Sequence, residues 1–105
     1  MFDLGHSYSS QQFQRSMRAR IEQERRLLRE LHDKFVDPGL KEEVSDDARR
    51  IDILNEWLYR SDELLRDPMT RARLSNELRR AVKRRERWQR RLTKYGPNGF
   101  WQRQL

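Results

Sequence analysis

The sequence predicts an all-α protein: an antiparallel three-helix bundle, or a long helical hairpin that a second copy completes. Two observations carry this expectation. Apolar residues recur every three, four or seven positions in three successive segments, the period of one helix face. Asp37-Pro38-Gly39, Asp67-Pro68 and Gly96-Pro97 punctuate the chain between and after those segments. No alternating strand pattern, internal repeat or low-complexity stretch interrupts the scheme.

The first helix is expected over about residues 10–36. Ser9 and Ser10 are N-cap types, Gln12 completes a capping-box spacing, and Phe13, Met17, Ile21, Leu28, Leu31 and Phe35 form the stripe. Asp37-Pro38-Gly39 then reads as a reversal, since proline has no amide proton and glycine favours a turn. A second helix is expected over about 45–66, capped at Ser45, with Asp46 and Asp47 complementing the positive end of its dipole. Its main stripe is Val44, Ala48, Ile51, Leu54, Leu58 and Leu65. Ile53, Trp57 and Leu64 lie about 120–160° further round, at 100° per residue. A central helix touching two neighbours explains such a second face as core, which is the first reading; a dimer or partner surface is the alternative. Asp67 and Pro68 open a third helix over about 68–95, with Leu74, Leu78, Ala81, Trp88, Leu92 and Tyr95 inward. The tail, 96–105, carries Phe100 and Trp101 and is read first as folding back onto the bundle and otherwise as a docking peptide.

The 105 residues fit a single helical domain with one core. At 34% hydrophobic and 39% charged, that core is lean enough for self-association to contribute. The chain has no cysteine, which removes disulfides and thiolate metal sites. No apolar run approaches the roughly 18–20 residues that span a bilayer, and the segment before Ser10 lacks a signal-peptide pattern. A soluble, cytoplasmic protein without membrane contact is therefore expected.

Charge is the most informative feature. Residues 36–67 hold ten acids and five bases, whereas residues 68–95 hold eleven bases and two acids, Glu77 and Glu86. On the third helix Arg79, Arg80, Lys83, Arg84, Arg87, Arg90, Arg91 and Lys94 fall on the outer arc. Guanidinium groups in such a row can each offer a bidentate donor pair to phosphate, and each neutralised phosphate releases counterions. The expected function is non-catalytic binding of DNA or RNA backbone. The competing explanation is a solvated face whose arginines pair with acids of the second helix and with neighbours one turn away. The other function carried forward is a protein-binding adaptor, inhibitor or assembly subunit, such as a phage-encoded regulator, docking an acidic or nucleic-acid-binding surface. Arginine outnumbers lysine twenty to four, which suits phosphate or RNA contacts but also follows from a GC-rich genome. Zinc-finger spacing, an RNA-binding aromatic motif and a basic zipper are all missing, so base-specific reading is not expected.

Two charges interrupt the apolar stripes. Glu24 lies between Ile21 and Leu28, and Arg85 between Ala81 and Trp88. In an up-down-up bundle the first and third helices run parallel, so these midpoints meet. A partly buried ion pair that fixes register is one expectation; both side chains reaching the rim is the other. Catalysis is not expected: His6 and His32 lack ligand-spaced companions, no glycine-rich phosphate loop or HExxH occurs, and neither a metal nor a cofactor is implied.

Overall fold

The computed structural model describes residues 10–59 and 65–98. Three helices run in order: α1 (Ser10–Lys34), α2 (Pro38–Leu58) and α3 (Pro68–Tyr95). Each packs against the other two, giving an all-α three-helix bundle with no strand among the described residues.

Side-chain contacts fix the directions. Gln14 near the start of α1 donates to the Leu58 carbonyl at the end of α2, and Arg25 pairs with Asp52. Near the turn, Lys41 Nζ donates to the His32 carbonyl at 2.6 Å. These contacts make α1 and α2 antiparallel. Between α1 and α3 the order is preserved: Arg71 stacks 5.5 Å from the Phe13 ring, Arg85 meets Glu24, and Phe35 stands edge-on to Trp88 at 5.8 Å. These two helices are parallel, and α2 runs against both.

Both Asp-Pro steps start helices. Asp37 accepts from the Leu40 amide at 2.9 Å and Asp67 from the Thr70 amide at 3.1 Å, while each proline takes the first helical position. There its missing N–H costs nothing, because that group has no intrahelical partner anyway. The second helix therefore begins at Pro38, seven residues before the expected Ser45, and Ser45 sits inside it. It also ends earlier than expected, with Tyr59 as the C-cap donating to the Glu56 carbonyl at 3.1 Å. The first helix closes at Lys34 instead of 36; His32 and Lys34 in its last turn suit the negative end of its dipole. Gly96 ends α3 at φ +79°, a conformation that L side chains rarely adopt. That bend lets the Val36 amide donate to the Pro97 carbonyl at 2.8 Å, tying the end of α3 to the α1–α2 turn. Ser9, Leu64, Phe100 and Trp101 lie outside the described residues.

The core follows the expected stripes. Ile21, Ile51, Leu58 and Leu78 are wholly shielded, and Phe35 and Met17 nearly so. Burial of each such side chain stabilises by about 1.5–3 kcal/mol relative to leaving it in water. Ala48, Trp88 and Leu92 are partly buried against this core.

Candidate functional site

The outer face of α3 presents Arg79, Arg80, Lys83, Arg87, Arg90 and Lys94 to solvent. Arg79, Lys83, Arg87, Arg90 and Lys94 follow one another at steps of four, four, three and four, so they form a single ridge. At 1.5 Å per residue the ridge is about 22 Å long. Arg79 donates to Asn76 at 2.7 Å and Arg80 pairs with Glu77 at 2.7 Å. Lys94 lies 5.3 Å from the Tyr95 ring centroid. Among the described residues no carboxylate lies within ion-pair reach of Lys83, Arg87 or Arg90.

Two of the expected outer cations sit further in. Arg91 is half-buried, with its guanidinium 5.7 Å from the Trp88 ring centroid. Arg84 turns toward α2: its Nε lies 3.2 Å from Asp47 Oδ1, an ion pair without hydrogen-bond alignment, and its side chain is one-quarter exposed. Arg84 therefore leaves the outer arc. Its Cα is three residues after Ala81 and four before Trp88, on the edge of the inward stripe, and a buried carboxylate waits there.

That carboxylate, Asp47, is 5% exposed. It accepts from Trp88 Nε1 at 2.8 Å and pairs with Arg50 as well as Arg84. Expected as a dipole-complementing charge at a helix start, it is instead the polar link between α2 and α3. A buried carboxylate is stable only when its lone pairs are met by donors and its charge is balanced; the Trp88 indole N–H and the Arg50 guanidinium supply donors, and Arg84 adds a second positive charge. The other engaged acids of α2 take their ion-pair partners outside α3. Asp52 pairs with Arg25 of α1 at 2.8 Å, and Glu42 and Asp46 share Arg49 within α2. Those two carboxylates, through their hydrogen bonds, raise the Arg49 guanidinium above the ordinary arginine value.

Glu24 and Arg85 meet across α1 and α3. Arg85 Nη2 donates to Glu24 Oε1 at 2.6 Å and Nε to Oε2 at 3.1 Å, a two-point fork, and Nη1 donates to Gln89 Oε1 at 2.9 Å. Glu24 is 4% exposed. Its hydrogen bonds hold the Arg85 guanidinium above its ordinary value against the opposing effect of burial.

Ile53 and Trp57 are 53% and 41% exposed, so the first reading of them as a second core face is not what the bundle does. In a triangle of helices the two neighbours lie about 60° apart, and one broad arc serves both; a stripe 120–160° away points outward. Together with Met69, 74% exposed, these side chains border a groove of about 490 Å³ between α2 and α3, floored by Leu54, Leu74 and Ala81. Met69 was not among the expected contacts. Its place opposite Trp57 depends on the α2–α3 pairing and not on any local pattern.

Among the described residues no group of three or more histidine, aspartate or glutamate side chains is placed to hold a metal ion. Nor is any described helix long and apolar enough to cross a membrane. No family model matches the chain, and no curated protein or solved structure matches it.

Proposed function

We propose that the chain is a non-catalytic nucleic-acid-binding protein that holds phosphate backbone along the outer ridge of α3. The observation that carries this reading is where the acids of α2 go. The competing explanation needs them to neutralise α3, yet among the described residues Asp47 alone reaches it, and Asp47 engages the inward-turned Arg84. Lys83, Arg87 and Arg90 lie on an exposed helix surface, spaced about one turn apart and without an acidic partner among the described residues, where backbone phosphates can approach. No base-reading motif accompanies the ridge in the sequence, so the recognition proposed is of backbone and shape.

The test is fluorescence anisotropy with labelled duplex DNA, duplex RNA and single strands, titrated from low to physiological salt. Lys83→Gln, Arg87→Gln and Arg90→Gln together are expected to lower the salt slope on duplex by about 2–3 units, each phosphate contact being worth about 0.9. A triple variant with the wild-type slope, or a wild type that binds no nucleic acid at low salt, refutes the reading. A protein-binding adaptor is the second reading, favoured by the exposed groove at Ile53, Trp57 and Met69. An adaptor would lose its target on Trp57→Ala while keeping its helicity, and nucleic acid would not compete.

A further inference from the structure

The α2–α3 groove is longer than its apolar part. Arg50 and Arg84 line both the apolar hollow and a second, polar hollow of about 490 Å³ that continues toward the α1–α2 turn. In that half the walls differ in sign: α2 contributes Glu43 and Asp46, the latter paired with Arg49, beside Arg50, and α3 contributes Arg87 and Arg91. One groove thus has an apolar end shared by both helices and a charged end with an acidic wall facing a basic one.

We infer that this groove seats a second copy of the chain, related by a two-fold axis running along the groove. Such an axis exchanges left and right but preserves the level along the helices. α2 of one copy then lies on α3 of the other, antiparallel to it, and the four helices form an antiparallel layer pair. Ile53 and Trp57 of each copy then meet Met69 of the other at the apolar end. Glu43 faces Arg87 of the second copy, and Arg87 faces its Glu43. Other occupants match only half of this surface. An acidic peptide would satisfy the arginines but run against Glu43 and Asp46, and nucleic acid would meet the same carboxylates. The groove itself presents both signs in the complementary order, which is what an isologous interface requires.

Of the ridge, Arg79, Lys83, Arg90 and Lys94 lie outside the groove lining and Arg87 alone is shared with it, so the dimer can be tested apart from the nucleic-acid reading through Ile53, Trp57, Met69 and Glu43. Its test uses no nucleic acid. Sedimentation equilibrium of the purified full chain, from micromolar to submillimolar protein, is expected to show a monomer–dimer equilibrium. Trp57→Asp should weaken the dimer by about 30-fold or more, as for a central aromatic contact, with far-UV circular dichroism unchanged. Because Trp57 also touches its own bundle, Met69→Glu is the second variant and should weaken the dimer in the same direction. Glu43→Arg alone should dissociate it, and Glu43→Arg with Arg87→Glu should restore it. A monomer throughout the range, a stoichiometry above two, or a dimer indifferent to both Trp57→Asp and Met69→Glu overturns the inference. Failure of the charge-swapped double variant to recover overturns the two-fold geometry.

Discussion

Glu24→Gln tests whether the α1–α3 register depends on a buried charge. The substitution keeps the shape of the side chain and one acceptor oxygen, but leaves the Arg85 guanidinium, 13% exposed, without its counterion. Breaking a buried pair by removing one partner costs about 3–5 kcal/mol. Arg85 keeps its 2.9 Å bond to Gln89 and one bond to the new amide, so a loss just below that range, about 2–3 kcal/mol, is expected. In a bundle of this size that lowers the melting temperature by roughly 10–20 °C. Arg85→Gln strands the more deeply buried Glu24 and should cost at least as much. The double variant should then lose less than the sum of the two, with a coupling energy of about 1–2 kcal/mol, because neither charge is left alone. Urea denaturation followed by far-UV circular dichroism measures all four corners of the cycle. Strict additivity would show that the two side chains do not depend on each other and would refute the reasoning. Glu24→Leu with Arg85→Met is the companion experiment: comparable or greater stability is expected, since an apolar pair avoids desolvating two charges.

Three further outcomes are expected. Asp47→Asn keeps a single acceptor for Trp88, Arg50 and Arg84 and turns an amide donor toward guanidinium groups; a loss of about 2–3 kcal/mol in urea denaturation is expected. Gly96→Ala has open space around the new methyl but a backbone at φ +79° that alanine resists, so a loss of about 1–3 kcal/mol is expected by the same assay. Hydrogen bonds from the Thr70 hydroxyl and amide hold the Asp67 carboxyl below the ordinary carboxylate range. A depressed folded value gives stability that is present above the unfolded value and lost as pH falls through the folded one. The melting-temperature advantage of wild type over Asp67→Asn should therefore be full at neutral pH and fade below about pH 4.

The three helices were legible because period and punctuation agreed, and the core stripes of α1 and α3 needed no tertiary information. Asp37-Pro38 and Asp67-Pro68 are the same cap and first helical position, but only the second reads so from sequence. Gly39 favours a turn after Pro38, although a glycine in the first turn also lets the cap carboxylate approach closely: a Cβ there would lie 3.1 Å from Asp37 Oδ2. Asp47 follows the same spacing as Glu24. Glu24 stands three residues after Ile21 and four before Leu28; Asp47 stands three after Val44 and four before Ile51. Arg84 has the same spacing between Ala81 and Trp88. All three are polar residues on an inward stripe, and all three are engaged across a helix interface. Ile53 and Trp57 were ambiguous for a different reason. Whether a second apolar stripe is core or surface depends on the angle between neighbouring helices, and no local pattern encodes that angle.

Because α1 and α3 run parallel, Ser10 and Pro97 lie at opposite ends of the bundle, and the Val36–Pro97 bond anchors the far one. A load applied between these two points runs along the helix axes. It acts on the packed stripes and on the Glu24–Arg85 fork in shear, many contacts at once, and does not peel them apart turn by turn. A helical hairpin, with both ends on one side, would unzip under the same pull; this up-down-up order makes the bundle a longitudinal strut between whatever is joined to its two ends.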